Sequence, residues 1–240
     1  MENSRVLALG FFDGVHIGHG ALLQKTRQTA DRLGISACAL TFDAHPMTQV
    51  LRQPMPLLST LDERRMLMQT LYGIDELIIA HFDEAFMHMS WQRFLEAYLL
   101  ETLQARFLVC GSDFRFGFQG EGTPEKLQST CRTLGLGCEI VPPVCLHGQA
   151  VSSTHIRQLL LQGDLPAASE LLGHPHLICG SVQNGVLSIR DGVLLPPEGR
   201  YEAVVGEKAG TVSIQDGRVL LSGLQNAQNI CVWLNNRIDK

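Results

Sequence analysis

The chain has 240 residues, 45% apolar and 18% charged, which is enough to bury one large core or two smaller ones and excludes a disordered tail. A formal net charge of −5 argues against broad binding to nucleic acid or an anionic membrane, while leaving room for a local positive site that takes a small anion. No apolar stretch approaches the roughly 18 residues of a spanning helix. The opening MENSRVLALGFFDG lacks the long apolar run of a signal peptide.

In chain order, RVLALGF (5–11) reads as a buried strand and GALLQKTRQTADRLG (20–34) as a helix stopped by Gly34. ISACALTF (35–42) is a second strand. STLDERRMLMQTLYG (59–73) opens with a capping box, Thr60 to Glu63, and closes at Gly73. ELIIAHF (76–82) is a third strand, followed by a helix over 90–104 with Ser90 as N-cap. RFLVCG (106–111) is a fourth strand, TPEKLQSTCRTLG (123–135) a helix with Pro124 in its first turn, and CEIVPPV (138–144) a fifth strand. Strands apolar on both faces, alternating with helices, imply an open parallel sheet covered by helices on both faces. Two more helices, STHIRQLLLQG and DLPAASELLG, carry the chain to Gly173.

Beyond HPHLI the texture changes. Turn signals recur at QNG (183–185), RDG (190–192), PPEG (196–199), KAG (208–210) and QDG (215–217), the spacing of a small antiparallel meander or barrel. The expected division is therefore 1–175 for the α/β domain and 176–240 for a small β domain. The seven cysteines (Cys38, Cys110, Cys131, Cys138, Cys145, Cys179, Cys231) are odd in number and contain no C-x-x-C pair. They read as reduced side chains in a cytoplasmic protein.

The segment GFFDGVHIGH lies at the carboxyl end of the first strand, where open parallel sheets collect ligands. Glycines there let main-chain N–H groups approach an anion, and the following helix adds partial positive charge. His16 and His19 bracket that point and can donate hydrogen bonds to phosphate oxygens. The patterns G-x-x-x-x-G-K-[ST] and G-x-G-x-x-G are both absent, so this is a phosphate site of another type. Two histidines in H-x-G-H also suit zinc, but no third or fourth ligand stands at a suitable spacing. His81, His88, His147, His174 and His176 read as ordinary polar residues.

GFFDGVHIGH resembles the signature of H-x-G-H nucleotidylyltransferases, whose fold is Rossmann-like. Its fuller form is similar to bacterial FAD synthetase (FMN adenylyltransferase), which in most bacteria is the N-terminal half of a bifunctional riboflavin kinase/FAD synthetase. Three further stretches carry the resemblance: TFDAHP (41–46), similar to T-F-x-P-H-P; GSDFRFG (111–117), similar to G-x-D-F-x-F-G; and SSTHIR (152–157), similar to S-S-T-x-I-R. The likeness covers residues 5 to about 175 and implies transfer of AMP from ATP to FMN, giving FAD and pyrophosphate.

On that resemblance, His16, His19 and Arg157 are the expected catalytic groups. Gly10, Phe11, Phe12, Asp13, Gly14, Gly18, Ser152, Ser153, Thr154 and Asp113 are expected around ATP. Phe42, His45, Pro46, Phe114, Arg115 and Phe116 are expected around FMN, with Phe11 or Phe12 as a further flavin contact. Mg²⁺ is expected to arrive with ATP, held mainly by the phosphates; no dedicated protein ligand is identifiable, and Asp13 is the loop candidate. Partners are the small molecules ATP and FMN, with no nucleic acid, membrane or protein partner indicated.

The resemblance departs at two places. Ala44 replaces the proline of T-F-x-P-H-P, and the P-T-A-N element of the kinase domain is nowhere in the chain, although LLPPEGRYEAVV (194–205) is similar to a kinase strand. The β domain therefore reads as a shortened relative without kinase activity. Two alternatives remain: another H-x-G-H nucleotidylyltransferase with a different phosphorylated acceptor, and a non-catalytic sensor of flavin nucleotides.

Overall fold

The computed structural model describes residues 4–44, 48, 55–190 and 192–238. The chain divides into two compact groups. The first holds residues 1–12, 18–53 and 65–144; the second holds 13–17, 54–64 and 145–240.

The first group is built on five parallel strands: β1 (Arg5–Leu9), β2 (Ser36–Phe42), β3 (Glu76–Ala80), β4 (Ala105–Gly111) and β5 (Gly137–Val141), in spatial order β3-β2-β1-β4-β5. β1 is central, with Leu7 beside Cys38 on one side and Leu108 on the other. The chain runs outward from β1 through β2 to β3, then returns to place β4 on β1's other edge. That reversal creates a switch point at the carboxyl ends of β1 and β4.

The connecting helices are α1 (Ile17–Leu33), α2 (Leu61–Tyr72), α3 (Glu84–Met87), α4 (Trp91–Arg93) and α5 (Pro124–Thr133). Local signals account for their starts. The capping box forms as expected, with Thr60 N–H donating to Glu63 Oε2 at 2.6 Å and Glu63 N–H donating to Thr60 Oγ1 at 3.2 Å. Ser90 Oγ accepts from Arg93 N–H, and Thr123 Oγ1 from Lys126 N–H one residue before Pro124. The helix expected over 90–104 continues from Phe94 to Thr102 with π spacing. Leu7, Leu9, Cys38, Leu40, Leu99, Leu108, Cys110 and Leu127 form the buried centre of this group.

The second group holds a short hairpin, β6 (Cys145–Leu146) with β7 (Gln149–Ala150), and two helices, α6 (Ser153–Gln162) and α7 (Leu165–Leu172). A closed six-stranded antiparallel barrel follows: β8 (His176–Gln183), β9 (Val186–Ser188), β10 (Gly199–Val205), β11 (Lys208–Gln215), β12 (Arg218–Leu221) and β13 (Asn226–Arg237), ordered β10-β11-β12-β9-β8-β13. Closure leaves no unpaired sheet edge. Ile156, Leu160, Leu165 and Leu172 share one core with Ile178, Val182, Tyr201, Val212, Val232 and Leu234. The helices that the sequence places before residue 175 thus pack with the barrel.

The expectation of seven reduced cysteines is corrected at one pair. Cys179 and Cys231 face each other across β8 and β13, with Cα atoms 4.3 Å apart, and form a disulfide. Antiparallel register makes them neighbours despite a sequence separation of 52, a relation that sequence spacing does not display. Cys38, Cys110 and Cys131 are free and buried, as expected of small apolar side chains.

Candidate active site

Between β1 and α1 the backbone leaves the common conformations. Phe12, Gly14 and Val15 take φ values of 58°, 77° and 44°. Glycine suits such a value; for β-branched Val15 it is an outlier, and each strained residue costs on the order of 1–3 kcal/mol. The turn persists because its neighbours restrain it. Asp13, 2% exposed, is its anchor. One carboxylate oxygen accepts from Leu58 N–H (3.0 Å), Ser59 N–H (3.1 Å) and Arg64 Nη2 (3.1 Å); the other accepts from Arg157 Nη2 at 2.6 Å. Ser59 Oγ accepts from Gly14 N–H at 2.8 Å.

The same turn is bound to α6. Ser152 is the N-cap, its Oγ accepting from His155 N–H. Ser153 Oγ donates to the carbonyl of Asp13 at 3.0 Å. Arg157, one turn into the helix, also donates through Nε to Pro56 O at 2.7 Å. The structure thus brings Asp13, Gly14, His16, Ser152, Ser153 and Arg157 into one compact group, with Thr154 in the first turn of α6. The Arg157 guanidinium, expected at a phosphate, is held by the Asp13 carboxylate and the Pro56 carbonyl.

His16 ends the strained turn, and burial lowers its pKa to about 4 against a weaker opposing pull from Asp13. At neutral pH its imidazole is uncharged and offers one N–H donor. His174 sets Nε2 3.1 Å from Gly14 O and Nδ1 2.8 Å from Pro175 O, and burial lowers its pKa too. His19 lies in the first turn of α1 with its ring edge-on to Phe12 at 5.3 Å; Gly18 precedes it in that turn.

The other expected residues belong to the sheet group. Gly10 N–H donates to Leu40 O, and Phe11 O accepts from Thr41 Oγ1 at 2.7 Å. In GSDFRFG, Phe114 and Phe116 stack at 5.5 Å, and Phe116 lies 5.4 Å from Phe94, so these rings join an aromatic cluster at the end of β4. The following turn is closely fitted: a Cβ on Gly117 (φ 73°) would stand 2.6 Å from the backbone of Trp91. Asp113 and Arg115 are exposed, and Arg115 Nη1 donates to Phe114 O. Phe42 ends β2 edge-on to Phe82 and Phe86. His45 and Pro46 lie outside the described residues.

Asp13 does not suit a metal ligand, because each carboxylate oxygen already accepts from a guanidinium and from main-chain N–H. Among the described residues, no group of three or more His, Cys, Asp or Glu side chains comes together to hold a metal ion.

Sequence reasoning missed Ser59, Arg64 and the second role of Glu63. Arg64 is 1% exposed; besides Asp13, it binds Ser59 through Nε to Oγ (3.2 Å) and Nη2 to the carbonyl (3.1 Å). Glu63, recognised only as a helix cap, also accepts Cys179 N–H of β8 at 2.6 Å through Oε1. Burial raises the Glu63 pKa, opposed by its bonds from Thr60 and Cys179. The available signal was a Glu-Arg pair at the capping box that starts α2.

A sequence model of a family described as FAD synthetase matches residues 1–155. The chain is 34% identical over 184 residues to a bifunctional riboflavin kinase/FMN adenylyltransferase of Listeria monocytogenes, covering 76% of this chain and 58% of that one. It is 31% identical to the Bacillus subtilis protein of the same description, covering 86% and 69%. It is 30% identical over 230 residues to a protein of L. monocytogenes called FAD synthetase, covering 94% and 89%. The chain therefore spans less than two thirds of some bifunctional relatives and most of the shorter one. Among solved structures, one described as a macrolide-efflux protein from Streptococcus pneumoniae superposes with a TM-score of 0.83 at 25% identity, over 100% of this chain and 87% of that one. No helix among the described residues is long and apolar enough to cross a membrane.

Proposed function

The chain belongs to the FAD synthetase family, and from that premise we propose that it transfers the adenylyl group of ATP to FMN, releasing pyrophosphate and forming FAD. The observation that carries this reading is the junction at Asp13. There the strained His16 turn and the first turn of α6 are bonded together, through Ser153 Oγ to Asp13 O and Arg157 to Asp13 Oδ2. Two sequence motifs 140 residues apart thereby become one unit, with N–H donors from a helix start and a neutral imidazole.

In this reaction an FMN phosphate oxygen forms a bond to the α-phosphorus of ATP while the bond to the bridging oxygen of pyrophosphate breaks. FMN is already a nucleophile, so the protein's task is alignment and stabilisation of phosphate charge. His16 donates one N–H to a phosphate oxygen, and His19, the second histidine of the same motif, is assigned to the transfer as well. The Ser153 hydroxyl proton is committed to Asp13 O, so this residue contributes main-chain N–H while Thr154 supplies a hydroxyl. Arg157 lends positive charge to the turn through Asp13. Phe42, Phe114, Arg115 and Phe116 are assigned to FMN. Mg²⁺ enters as part of the ATP substrate, in keeping with the engaged Asp13 carboxylate.

Kinase activity is not assigned. The chain lacks a P-T-A-N element, and its alignment with the L. monocytogenes FAD synthetase takes in 94% of this chain and so extends into its barrel. FMN is then supplied by a separate phosphorylation of riboflavin. Incubation with FMN, ATP and Mg²⁺ should give FAD and pyrophosphate in equal amounts. A His16→Ala/His19→Ala double variant should lose on the order of 100-fold in rate. FMN binding without turnover would favour the sensor reading, and turnover of another phosphorylated acceptor in place of FMN would favour the other transferase reading.

A further inference from the structure

We propose that Arg64, acting with Ser59, is a positioning residue for adenylyl transfer: it locks the Asp13 carboxylate and so sets the His16 turn and the start of α6 in one geometry. The proposal rests on the transfer reading above and adds residues outside the motifs that suggested it. Arg64 clamps at three points, with Nη2 on Asp13 Oδ1 and on Ser59 O, and Nε on Ser59 Oγ. Ser59 Oγ in turn accepts Gly14 N–H, so Arg64 reaches the strained turn through both its side-chain anchor and its backbone.

Packing alone is a poor account of this arrangement. Two guanidiniums, of Arg64 and Arg157, converge on a carboxylate that is 2% exposed, and buried ion clusters of this kind are rarely more stabilising than apolar residues of the same volume. What the cluster supplies is direction. A strained turn with Phe12, Gly14 and Val15 all at positive φ needs restraint from several sides to hold His16 in place, and an arginine fork fixes a carboxylate in orientation as well as in charge. Glu63, next to Arg64, accepts Cys179 N–H, so the segment bearing the clamp is itself fixed to β8. This gives the barrel a part in transfer as the support of that segment.

The test uses the full chain with Arg64→Met, Arg64→Lys and Ser59→Ala. For each variant, kcat and KM for FMN and ATP, the thermal midpoint and hydrogen exchange of the peptide covering residues 10–17 are measured. The expected result is a fall in kcat on the order of 100-fold for R64M and about tenfold for S59A, with KM for FMN unchanged. R64K should recover part of the loss, because it restores charge without the fork, and exchange in the turn should quicken in all three. A folded R64M with wild-type kcat and unchanged exchange overturns the proposal. Should R64M fail to fold, wild-type kcat and exchange in R64K and S59A overturn it equally. If the wild-type chain makes no FAD, the transfer reading alone has failed, and exchange still decides whether Arg64 locks the turn.

Discussion

His16 and His176 are held with pKa values of about 4, both mainly by burial, against an ordinary value of 6.5. A histidine whose folded pKa is depressed favours the native state in its neutral form. Its contribution is complete above pH 6.5 and is lost as pH falls from there to about 4. His174 shifts in the same direction, whereas the raised pKa of Glu63 works the opposite way and offsets part of the loss at the acid end. Urea unfolding across this window should show stability falling by roughly 2 kcal/mol for each of His16 and His176, before the Glu63 offset, between about pH 6.5 and 4.5. A flat profile would contradict the buried, neutral state assigned to these rings. At this scale residues that sit in a motif, such as His16, Ser153 and Arg157, were singled out by the sequence as candidates. Arg64 was not, since its partner Asp13 is 51 positions away and no local period connects them.

At the scale of elements, the helix starts were legible because capping is local chemistry: Thr60 with Glu63, Ser90, and Thr123 before Pro124 all behave as their types suggest. The meaning of a cap is less local. Glu63 closes α2 and also binds β8, accepting two N–H groups at 2.6 Å from a site 1% exposed. Glu63→Ala would leave both donors without that acceptor and should cost about 2 kcal/mol, with Glu63→Gln costing less, as read by chemical denaturation. Equal stabilities for all three proteins would show that the link to β8 is dispensable. Ser152 Oγ accepts from His155 N–H, so Ser152→Ala should cost about 1 kcal/mol through α6 even if Ser152 never touches a nucleotide. Its effect on kcat must therefore be read against that loss.

For the molecule as a whole, alternation of apolar strands with amphipathic helices was enough to reveal the parallel sheet, because each strand's burial on both faces is written in its own residues. The barrel was legible as a succession of turns, but its closure, its disulfide and its shared core with α6 and α7 depend on pairings across long separations. The resemblance that suggested adenylyl transfer lies largely in residues at strand and helix ends, where open parallel sheets position their chemistry. A chain with the transferase motifs and without a P-T-A-N element should show FAD formation and no FMN formation. Riboflavin with ATP should therefore remain riboflavin, and detectable FMN would overturn the expectation that the barrel carries no kinase activity.

The most direct measurement follows the label in ATP marked separately at its α- and γ-phosphorus, incubated with the full chain, FMN and Mg²⁺. The account predicts that α-label passes into the flavin fraction as FAD while γ-label leaves entirely as pyrophosphate. Label from the γ-position in a flavin product, or no α-label in flavin at all, would contradict it.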